Sequence, residues 1–392
     1  MPNTHQSRQM FTHITDIEMK ILLLGEYSNV HWTLAEGLRQ LGHTVTVVSN
    51  GDFWKNYQRD IDLSRTLEKL GGMRYMAKLY RLLPLLCGYD VVQLINPMFL
   101  EIKAHRIMPI YKFLRKHNKK IFMGAFGMDY YWVHTCCTDM PLEYSDFNMG
   151  KELRQTADAL KEQRDWLVTD KQRLNEYMAH DCDGIIAGLY EYWVCYHAHF
   201  PDKTTFIPFP IRTKTMRERQ PMTNGDHRLK MFIGINRERS VYKGTDIMLK
   251  AAQDLVLKYP HQVSLQIAKS VPFEQYQRMM NGADVILDQL YSYTPAMNAL
   301  EAMSKGIVCV GGGEPENYQL LHEDTLRPIV NVKPCYESVY HELESLILHP
   351  ERLIVLQQQS IAYIQKHHDY VKVAQQYVDF YNSSEPVTKN KE

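Results

Sequence analysis

The chain has 392 residues, 45% of them hydrophobic and 23% charged, a size and composition typical of a globular protein with two domains. Its 45 basic residues balance its 45 acidic residues, which argues against a general nucleic-acid-binding protein, because such proteins usually carry a basic excess. No apolar run approaches the roughly 18 residues of a membrane span, and residues 1–18 lack the apolar core of a secretory signal, so a cytoplasmic protein is expected.

The N-terminal half of the sequence alternates short apolar runs with longer segments of helical periodicity. The predicted strands are Lys20–Leu24, Thr44–Val48, Asp90–Ile95, Lys120–Gly124, Gly184–Ala187 and Thr205–Ile207. The predicted helices are Asn29–Leu41, Ser64–Leu86, Pro97–His117 and Lys151–His180. Strands separated by helices of this length indicate parallel βαβ units. The polar stretch Tyr130–Gly150 is too long for an ordinary connection and is predicted to be a functional loop.

The second half repeats this pattern. Its predicted strands are Lys230–Gly234, Val263–Ile267, Val285–Leu287, Ile307–Val310 and Pro328–Val330, and its helices are Gly244–Tyr259, Pro295–Lys305, Tyr336–Leu348, Glu351–His368 and Asp369–Tyr381. We therefore predict a disordered leader at 1–18, a Rossmann-like domain at 19–212, a linker at 213–228, a second Rossmann-like domain at 229–368, a C-terminal helix at 369–382 that packs back on the first domain, and a disordered tail at 383–392.

The first strand ends in a single glycine, Gly25. A dinucleotide fingerprint needs G-x-G-x-x-G at this turn, so NAD and FAD are not expected here. Gly25 either lines a ligand cleft, because ligands bind at the carboxyl ends of parallel strands, or forms a plain tight turn.

Three cations, Arg237, Arg239 and Lys243, lie between a predicted strand and the following helix. Cations beside a helix start suit a diphosphate, although a solvated basic loop would have the same sequence. Further on, Thr294 is a candidate N-cap with Pro295 at the first helical position, which indicates a second anion site. Glu301, two turns into that helix, either accepts hydrogen bonds from a ribose or is an ordinary surface residue.

The seven cysteines are odd in number and contain no C-x-x-C pair, so reduced thiols are expected. His134, Cys136 and Cys137 lie close together in sequence, but no second pair completes a tetrahedral ligand set. We interpret them as packing residues and expect no metal.

Three segments together resemble a known family: MKILLLGEYSNVHWTLAEGLRQLGHTVTVVS, NRERSVYKGTD and ADVILDQLYSYTPAMNALEAMSKGIVCVGG. The chain resembles the GT-B glycosyltransferases of the E-x7-E type, family four in the usual classification, from about Met19 to Tyr381. The resemblance implies an α/β fold in which two Rossmann-like domains with parallel sheets face each other across a cleft. It also implies retaining transfer of a hexose-type sugar from a nucleotide-diphosphate sugar to a glycan or lipid-linked acceptor in cell-surface polysaccharide synthesis, without a cofactor or metal.

The family's site residues carry over to particular positions. The diphosphate would be held by Arg237 and Lys243, with Arg239 as a substitute, and by the backbone from Thr294 through Ala296 to Met297. Glu301 would bind the donor ribose. The first glutamate of the motif, which contacts the transferred sugar, is replaced here by Tyr293. The remaining assignments place Gly25, Tyr293 and Asn298 in the cleft near the donor sugar, and make Asp129 either a catalytic residue or a cap of the next turn.

Two other functions remain open. A nucleotide-sugar epimerase shares the GT-B architecture, but we identify no convincing acid/base pair flanking the sugar. A non-catalytic nucleotide-sugar-binding homologue is conceivable because Tyr293 replaces the sugar-contacting glutamate.

Charge placement suggests a membrane contact. Between Arg65 and Lys120 there are 12 basic and three acidic residues, several of them interleaved with apolar side chains. Such a segment either docks weakly on an anionic inner leaflet or turns its apolar residues to the domain core and its charges to water. The cations predicted to dock are Arg74, Lys78, Arg81, Arg115, Lys116, Lys119 and Lys120.

Overall fold

The structure is a computed structural model that describes residues 18–66, 68–213, 228–235, 240–269, 271 and 273–385. Most of the predicted leader and linker, the end of the predicted tail, and the candidate residues Arg237 and Arg239 lie outside the described residues.

The strands are β1 (Lys20–Leu24), β2 (Thr44–Ser49), β3 (Ile61–Asp62), β4 (Val91–Leu94), β5 (Lys120–Ala125), β6 (Asn148–Met149), β7 (Glu152–Leu153), β8 (Gly184–Ala187), β9 (Thr204–Phe206), β10 (Leu229–Ile235), β11 (Val263–Lys269), β12 (Val285–Leu287), β13 (Val308–Gly311) and β14 (Val330–Asn331). The helices are α1 (Val30–Gln40), α2 (Gly71–Leu82), α3 (Ala104–His117), α4 (Tyr130–Thr138), α5 (Ala157–Trp166), α6 (Asp170–Asp181), α7 (Tyr190–His197), α8 (Ser240–Lys243), α9 (Thr245–Lys258), α10 (Phe273–Asn281), α11 (Met297–Ser304), α12 (Pro315–Leu320), α13 (Tyr336–Leu348), α14 (Glu351–Tyr363) and α15 (Tyr370–Ser383).

The N-terminal domain is built on a seven-stranded sheet in the order β3-β2-β1-β4-β5-β8-β9, with every neighbouring pair parallel. Helices cover both faces of such a sheet, which explains why its central strands are continuous apolar runs. In β1, for example, Ile21–Leu24 are completely buried. Because the strands are parallel, their carboxyl ends share one edge, which is where ligands bind in open α/β sheets.

The C-terminal domain is built on a five-stranded parallel sheet in the order β11-β10-β12-β13-β14. The short central strand β12 is buried along its whole length. Among the helices that the structure describes, none is both long and apolar enough to cross a bilayer.

Helix α15 lies on the N-terminal domain. The Gln40 side chain of α1 donates a 2.6 Å hydrogen bond to the Tyr370 hydroxyl, and Tyr381 donates to Gln93 of β4. A Cβ atom at Gly37 would lie 2.3 Å from the Tyr370 carbonyl oxygen, so only glycine lets α1 approach α15 this closely. The end of the described chain is therefore part of the first sheet's outer layer.

Two predictions about the middle of the chain are wrong. The stretch Tyr130–Gly150 contains helix α4 and strand β6 and is not a structureless functional loop. The segment predicted as one helix over 151–180 is two helices, α5 and α6, interrupted at Val168, whose φ of 57° is left-handed. A β-branched residue adopts that conformation only under tertiary constraint, which hydropathy patterns do not reveal.

Candidate functional site

Gly25 closes β1 at the carboxyl edge of the first sheet. Its φ is +88°, and a Cβ atom there would lie 2.3 Å from the Ile95 side chain, so the position requires glycine. Gly25 lines a cavity of about 70 Å³ whose walls include Glu26, Tyr75 and Phe99. Gly25 is therefore a tight turn that lines this cavity of the N-terminal domain, and its place in the cleft near a donor sugar stays a prediction.

Two loops beside this cavity hold an unusual concentration of left-handed backbone. Ser28 and Asn29 follow β1, and Asp52, Phe53 and Asn56 follow β2, all with φ between 49° and 69°. Such conformations cost non-glycine residues about 1–2 kcal/mol each and cluster at binding sites. The Asp52 carboxylate stabilises both loops, since it accepts hydrogen bonds from the Ser28 backbone at 2.8 Å and from Lys55 at 2.6 Å.

Glu26 carries a buried carboxyl group in the wall of the cavity. Its two oxygens accept hydrogen bonds from the backbone nitrogens of His31 (3.2 Å) and Trp32 (2.9 Å) in the first turn of α1. Burial raises the pKa of Glu26 to about 8, against the lowering effect of those hydrogen bonds. The sequence analysis missed this residue, although its place directly after a strand-end glycine was the available signal.

Lys243 ends helix α8 at the carboxyl edge of the second sheet, next to Asp288 at the end of β12. Burial raises the pKa of Asp288 to about 6, while the nearby Lys243 charge and a hydrogen bond from the Ala296 backbone lower it. The Lys243 ammonium, the start of α11 and Asp288 are therefore neighbours. Sequence analysis did not single out Asp288.

Helix α11 begins at Met297, with Ala296 as its N-cap residue. The prediction of Thr294 as N-cap and Pro295 as first helical residue is therefore wrong. The physical reason is a competing partner, because the Thr294 hydroxyl donates a 2.6 Å hydrogen bond to the buried Glu191 carboxylate. Ala296 and Met297 remain at the helix start; the Ala296 N–H is bonded to Asp288, and the N–H groups of the first helical turn that follow it favour an anion.

Glu301 lies on α11 with its carboxylate half exposed. It forms an ion pair with Lys305 at 3.0 Å and accepts a hydrogen bond from Gln277 at 3.1 Å. The pKa of Tyr57 is raised first by burial and then by the negative charges of Asp52 and Glu301. Because the Glu301 charge acts on it, this tyrosine of the N-terminal domain lies near Glu301. Asn298, one turn earlier, donates a 2.7 Å hydrogen bond to the Tyr276 hydroxyl.

Tyr293 is turned toward the N-terminal domain. Its hydroxyl accepts a 2.8 Å hydrogen bond from the Glu143 backbone nitrogen, and its ring lies 4.9 Å from that of Tyr144 and 5.8 Å from that of Tyr190. Tyr293 is thus part of an aromatic contact between the two domains.

Asp129 caps helix α4. It is completely buried, with one carboxylate oxygen accepting from the Trp132 backbone at 2.9 Å and the other from the Tyr196 hydroxyl at 2.8 Å. Burial raises its pKa to about 7. Asp129 thus caps α4, and a catalytic role for this residue stays a prediction.

Two cations assigned to a membrane surface are engaged inside the fold. Arg115 is buried and forms a bidentate ion pair with Asp183, one contact measuring 3.0 Å. Lys120 donates to the carbonyl oxygens of Tyr381 (2.8 Å) and Ser384 (2.7 Å) at the end of α15. Their assignment as docking residues is wrong, because each has a partner that amino-acid spacing does not show.

No three acidic, histidine or cysteine side chains of the described residues are placed to hold a metal ion. Cys136, one of the residues considered as a ligand, is buried with its sulfur 3.9 Å from that of Cys195. Both cysteines are free thiols, as expected.

No protein-family model and no curated protein matches this sequence. Solved structures do resemble it. Sucrose-phosphate synthase from Thermosynechococcus elongatus has a TM-score of 0.59 at 14% identity, covering 93% of this chain and 98% of its own. Anabaena HepE in complex with UDP-glucose has a TM-score of 0.58 at 13% identity, covering 93% and 100%. A Listeria monocytogenes structure assigned as a UDP-N-acetylglucosamine 2-epimerase has a TM-score of 0.52 at 10% identity, covering 92% and 95%.

Identities of this size show the fold and leave the activity to be argued from the site. The matches extend over both parallel sheets, and the expected fold class is confirmed. This chain has the GT-B fold, two Rossmann-like domains of the kind found in glycosyltransferases.

Proposed function

We propose that this protein is a glycosyltransferase that moves a hexose-type sugar from a nucleotide-diphosphate donor to a glycan or lipid-linked acceptor. One observation carries the proposal. At the carboxyl edge of the second sheet, the Lys243 ammonium group lies next to the backbone N–H groups that begin α11. Glu301 lies farther along that helix. A cation and a helix start together suit a diphosphate, and a carboxylate beside them suits a ribose diol.

The small cavity at Gly25 supports the proposal from the other domain. It opens at the carboxyl edge of the first sheet, and the Tyr57 loop beside it faces Glu301. We propose that the acceptor enters on this side. Because the helix dipole and Lys243 can stabilise a departing diphosphate, we also propose that transfer, with retention as in the E-x7-E family, needs no bound metal and continues in EDTA.

Replacing Lys243 by alanine tests the diphosphate site. Loss of a charge-assisted hydrogen bond typically costs about 1.5–3 kcal/mol, so the Kd for UDP, or for whichever of UDP, GDP and dTDP binds best, should rise roughly tenfold or more. Glu301→Gln should weaken the same binding through the ribose. Isothermal titration calorimetry measures both.

A matched control is Lys250→Ala, since Lys250 is an exposed lysine of the same domain that forms a 2.9 Å ion pair with Asp254 on α9. Its affinity should equal that of the wild type. If Lys243→Ala and Glu301→Gln both bind the nucleoside diphosphate as the wild type does, this site is not the donor site. Conversion of one nucleotide sugar into another, rather than transfer or slow hydrolysis, would favour the epimerase.

We further propose a weak membrane contact through α2. Gly71, Tyr75 and Leu79 face the domain core. Large apolar residues point outward on the opposite side, with Leu70 52%, Met73 66% and Tyr80 57% exposed. The cations Arg74 and Arg81 are interspersed with them and are also exposed, a combination that fits an anionic bilayer. Since the inner-face residue Tyr75 lines the acceptor-side cavity, a lipid-linked acceptor would be delivered close to its binding site.

Sedimentation with vesicles containing anionic lipid tests this contact. The protein should sediment at low salt and be released at high salt, because the screening length falls from about 10 Å at 0.1 M to about 3 Å at 1 M. Leu70→Ser with Met73→Ser should reduce the bound fraction severalfold. The same exchange at Ile354 and Val355 of α14, which are 58% and 53% exposed, should leave it unchanged. Equal recovery with neutral and anionic vesicles would remove the proposal.

A further inference from the structure

A buried glutamate of the N-terminal domain holds the loop that leads into α11. Glu191 lies in the first turn of α7 and is 5% exposed. Its two carboxylate oxygens each lie 2.6 Å from a hydroxyl of the opposite domain, one from Ser292 and one from Thr294. These hydroxyls flank Tyr293, and the loop continues through Ala296 to the helix start proposed to receive the diphosphate.

This contact contains two hydroxyl donors and three acceptor oxygens within hydrogen-bonding distance. The Ser292 hydroxyl is also 2.6 Å from the Thr294 carbonyl oxygen, so its single hydrogen has two acceptors within reach. The Thr294 hydroxyl donates its hydrogen to the glutamate. All three side chains are buried, so removing the carboxylate would take a buried acceptor away from the Thr294 hydroxyl, a costly change, while the Ser292 hydroxyl would keep the Thr294 carbonyl oxygen.

A buried arginine makes the equivalent contact to α8. Arg154, 8% exposed, donates hydrogen bonds to the carbonyl oxygens of Val241 (3.0 Å) and Tyr242 (3.1 Å), the two residues before Lys243. Its guanidinium carbon lies 3.4 Å from the centre of the Tyr291 ring, next to Ser292. A cation at the carboxyl end of a short helix is electrostatically favourable, and the planar guanidinium also stacks on the ring.

The two segments proposed to bind the diphosphate are thus each held by a charged side chain from the other domain. Tyr293 strengthens the same contact by stacking on Tyr190, the neighbour of Glu191. The position at which a glutamate contacts the transferred sugar in the E-x7-E family is occupied here by Tyr293, which is part of the domain contact.

We infer that Glu191 and Arg154 are positioning residues of the donor site, supplied by the opposite domain, and that donor affinity depends on the contact between the two domains. This inference rests on the proposed function, because it concerns the same diphosphate site. The physical reason is preorganisation. A binding group displaced by about 1 Å loses much of its contribution to ligand affinity. Both the loop before α11 and the end of α8 are held by side chains of the opposite domain.

The test compares nucleotide affinity with stability in matched variants. Glu191→Gln keeps the size of the side chain but offers only one acceptor oxygen, and Arg154→Met removes all donors while keeping an unbranched stem. Each should raise the Kd for UDP, measured by calorimetry, about fivefold or more. Arg154→Lys, which retains one charged donor group, should give an intermediate value. Ser292→Ala should weaken binding less in the Glu191→Gln background than in the wild type, since the two residues act through one contact.

The control is Tyr144→Phe. The Tyr144 hydroxyl donates a 2.5 Å hydrogen bond to Glu314, so this variant removes one hydrogen bond of the same domain contact while keeping the aromatic ring that packs against Tyr293. It should lower the melting temperature but keep the Kd within about twofold. If Glu191→Gln and Arg154→Met lose stability as Tyr144→Phe does and bind UDP as the wild type does, their role is purely structural and the inference is overturned. A wild-type protein that binds none of UDP, GDP and dTDP would instead overturn the proposed function and this inference with it.

Discussion

Replacing Asp183 by alanine should lower the free energy of unfolding by about 3–5 kcal/mol at neutral pH. Asp183 is buried. Its carboxylate accepts a 3.0 Å hydrogen bond from the Arg115 guanidinium and a 2.7 Å hydrogen bond from the Ile121 backbone nitrogen. Removing the carboxylate leaves the Arg115 charge inside the protein without its bidentate partner, and the ion pair of Arg115 with Asp181 measures 3.4 Å. Arginine cannot give up its proton to escape that cost.

Urea unfolding with linear extrapolation measures the effect. The control is Glu68→Ala, which breaks the ion pair between Glu68 and Arg74, two side chains that are 65% and 64% exposed. Exposed pairs contribute about 0–1 kcal/mol, so this variant should be close to the wild type. If Asp183→Ala loses no more stability than Glu68→Ala, Arg115 is solvated in solution and is available as one of the predicted docking cations.

The protein should also lose stability as the pH rises from 7 to 8, by about 1 kcal/mol, because of Glu26. Burial raises the pKa of Glu26 in the fold to about 8, from an ordinary value of 4.5. Below pH 4.5 the group is protonated in both states and costs nothing. Between pH 4.5 and 8 only the unfolded chain releases the proton, so the free energy of unfolding falls by up to about 1.4 kcal/mol per pH unit. Above the folded pKa, the stabilisation that comes from the protonated Glu26 is fully lost.

Between pH 7 and 8 the change from Glu26 is larger than the changes from two other buried carboxyl groups. Asp288 and Asp129, with folded pKa values of about 6 and about 7, act mainly at lower pH. Burial lowers the pKa of His368 to about 4 and that of His31 further, so these histidines contribute stability that is complete above 6.5, their unfolded value, and lost as the pH falls.

Glu26→Gln removes the titrating group, so its unfolding free energy should be flatter between pH 7 and 8 than that of the wild type, whatever its absolute value. Denaturant titrations at several pH values give this slope directly. Glu143→Gln, an exchange at an exposed carboxylate, should retain the wild-type slope. Parallel curves for the wild type and Glu26→Gln would mean that Glu26 is already ionised in the fold at pH 7.

The pattern of apolar runs was enough to predict two domains built on parallel sheets, and the resemblance to a known family added the GT-B arrangement. Val285–Leu287 and Gly184–Ala187 were placed with their observed bounds, because a strand buried on both faces must be continuously apolar whatever surrounds it. The short helices α7 and α10 were not predicted. Helices of eight or nine residues are marginal on their own, and packing against other elements stabilises them.

The candidate site was only partly predictable. Lys243 and the start of α11 follow from strand-end position, since parallel strands bring their carboxyl ends to one edge. The exact helix start did not, because Thr294 meets Glu191, which is 103 residues away in sequence. A capping preference is local and weak enough for such a contact to override it.

The sequence by itself therefore determined where the strands lie, which fold they form and which strand ends carry cations. Tertiary structure alone decided the partners of the charged groups: a cap for Asp129, a buried acid for Arg115, and contacts across the domain boundary for Glu191 and Arg154. The physical reason is range. Burial of an apolar run is favourable against any apolar neighbour, whereas a hydrogen bond or ion pair needs one particular atom within about 3 Å.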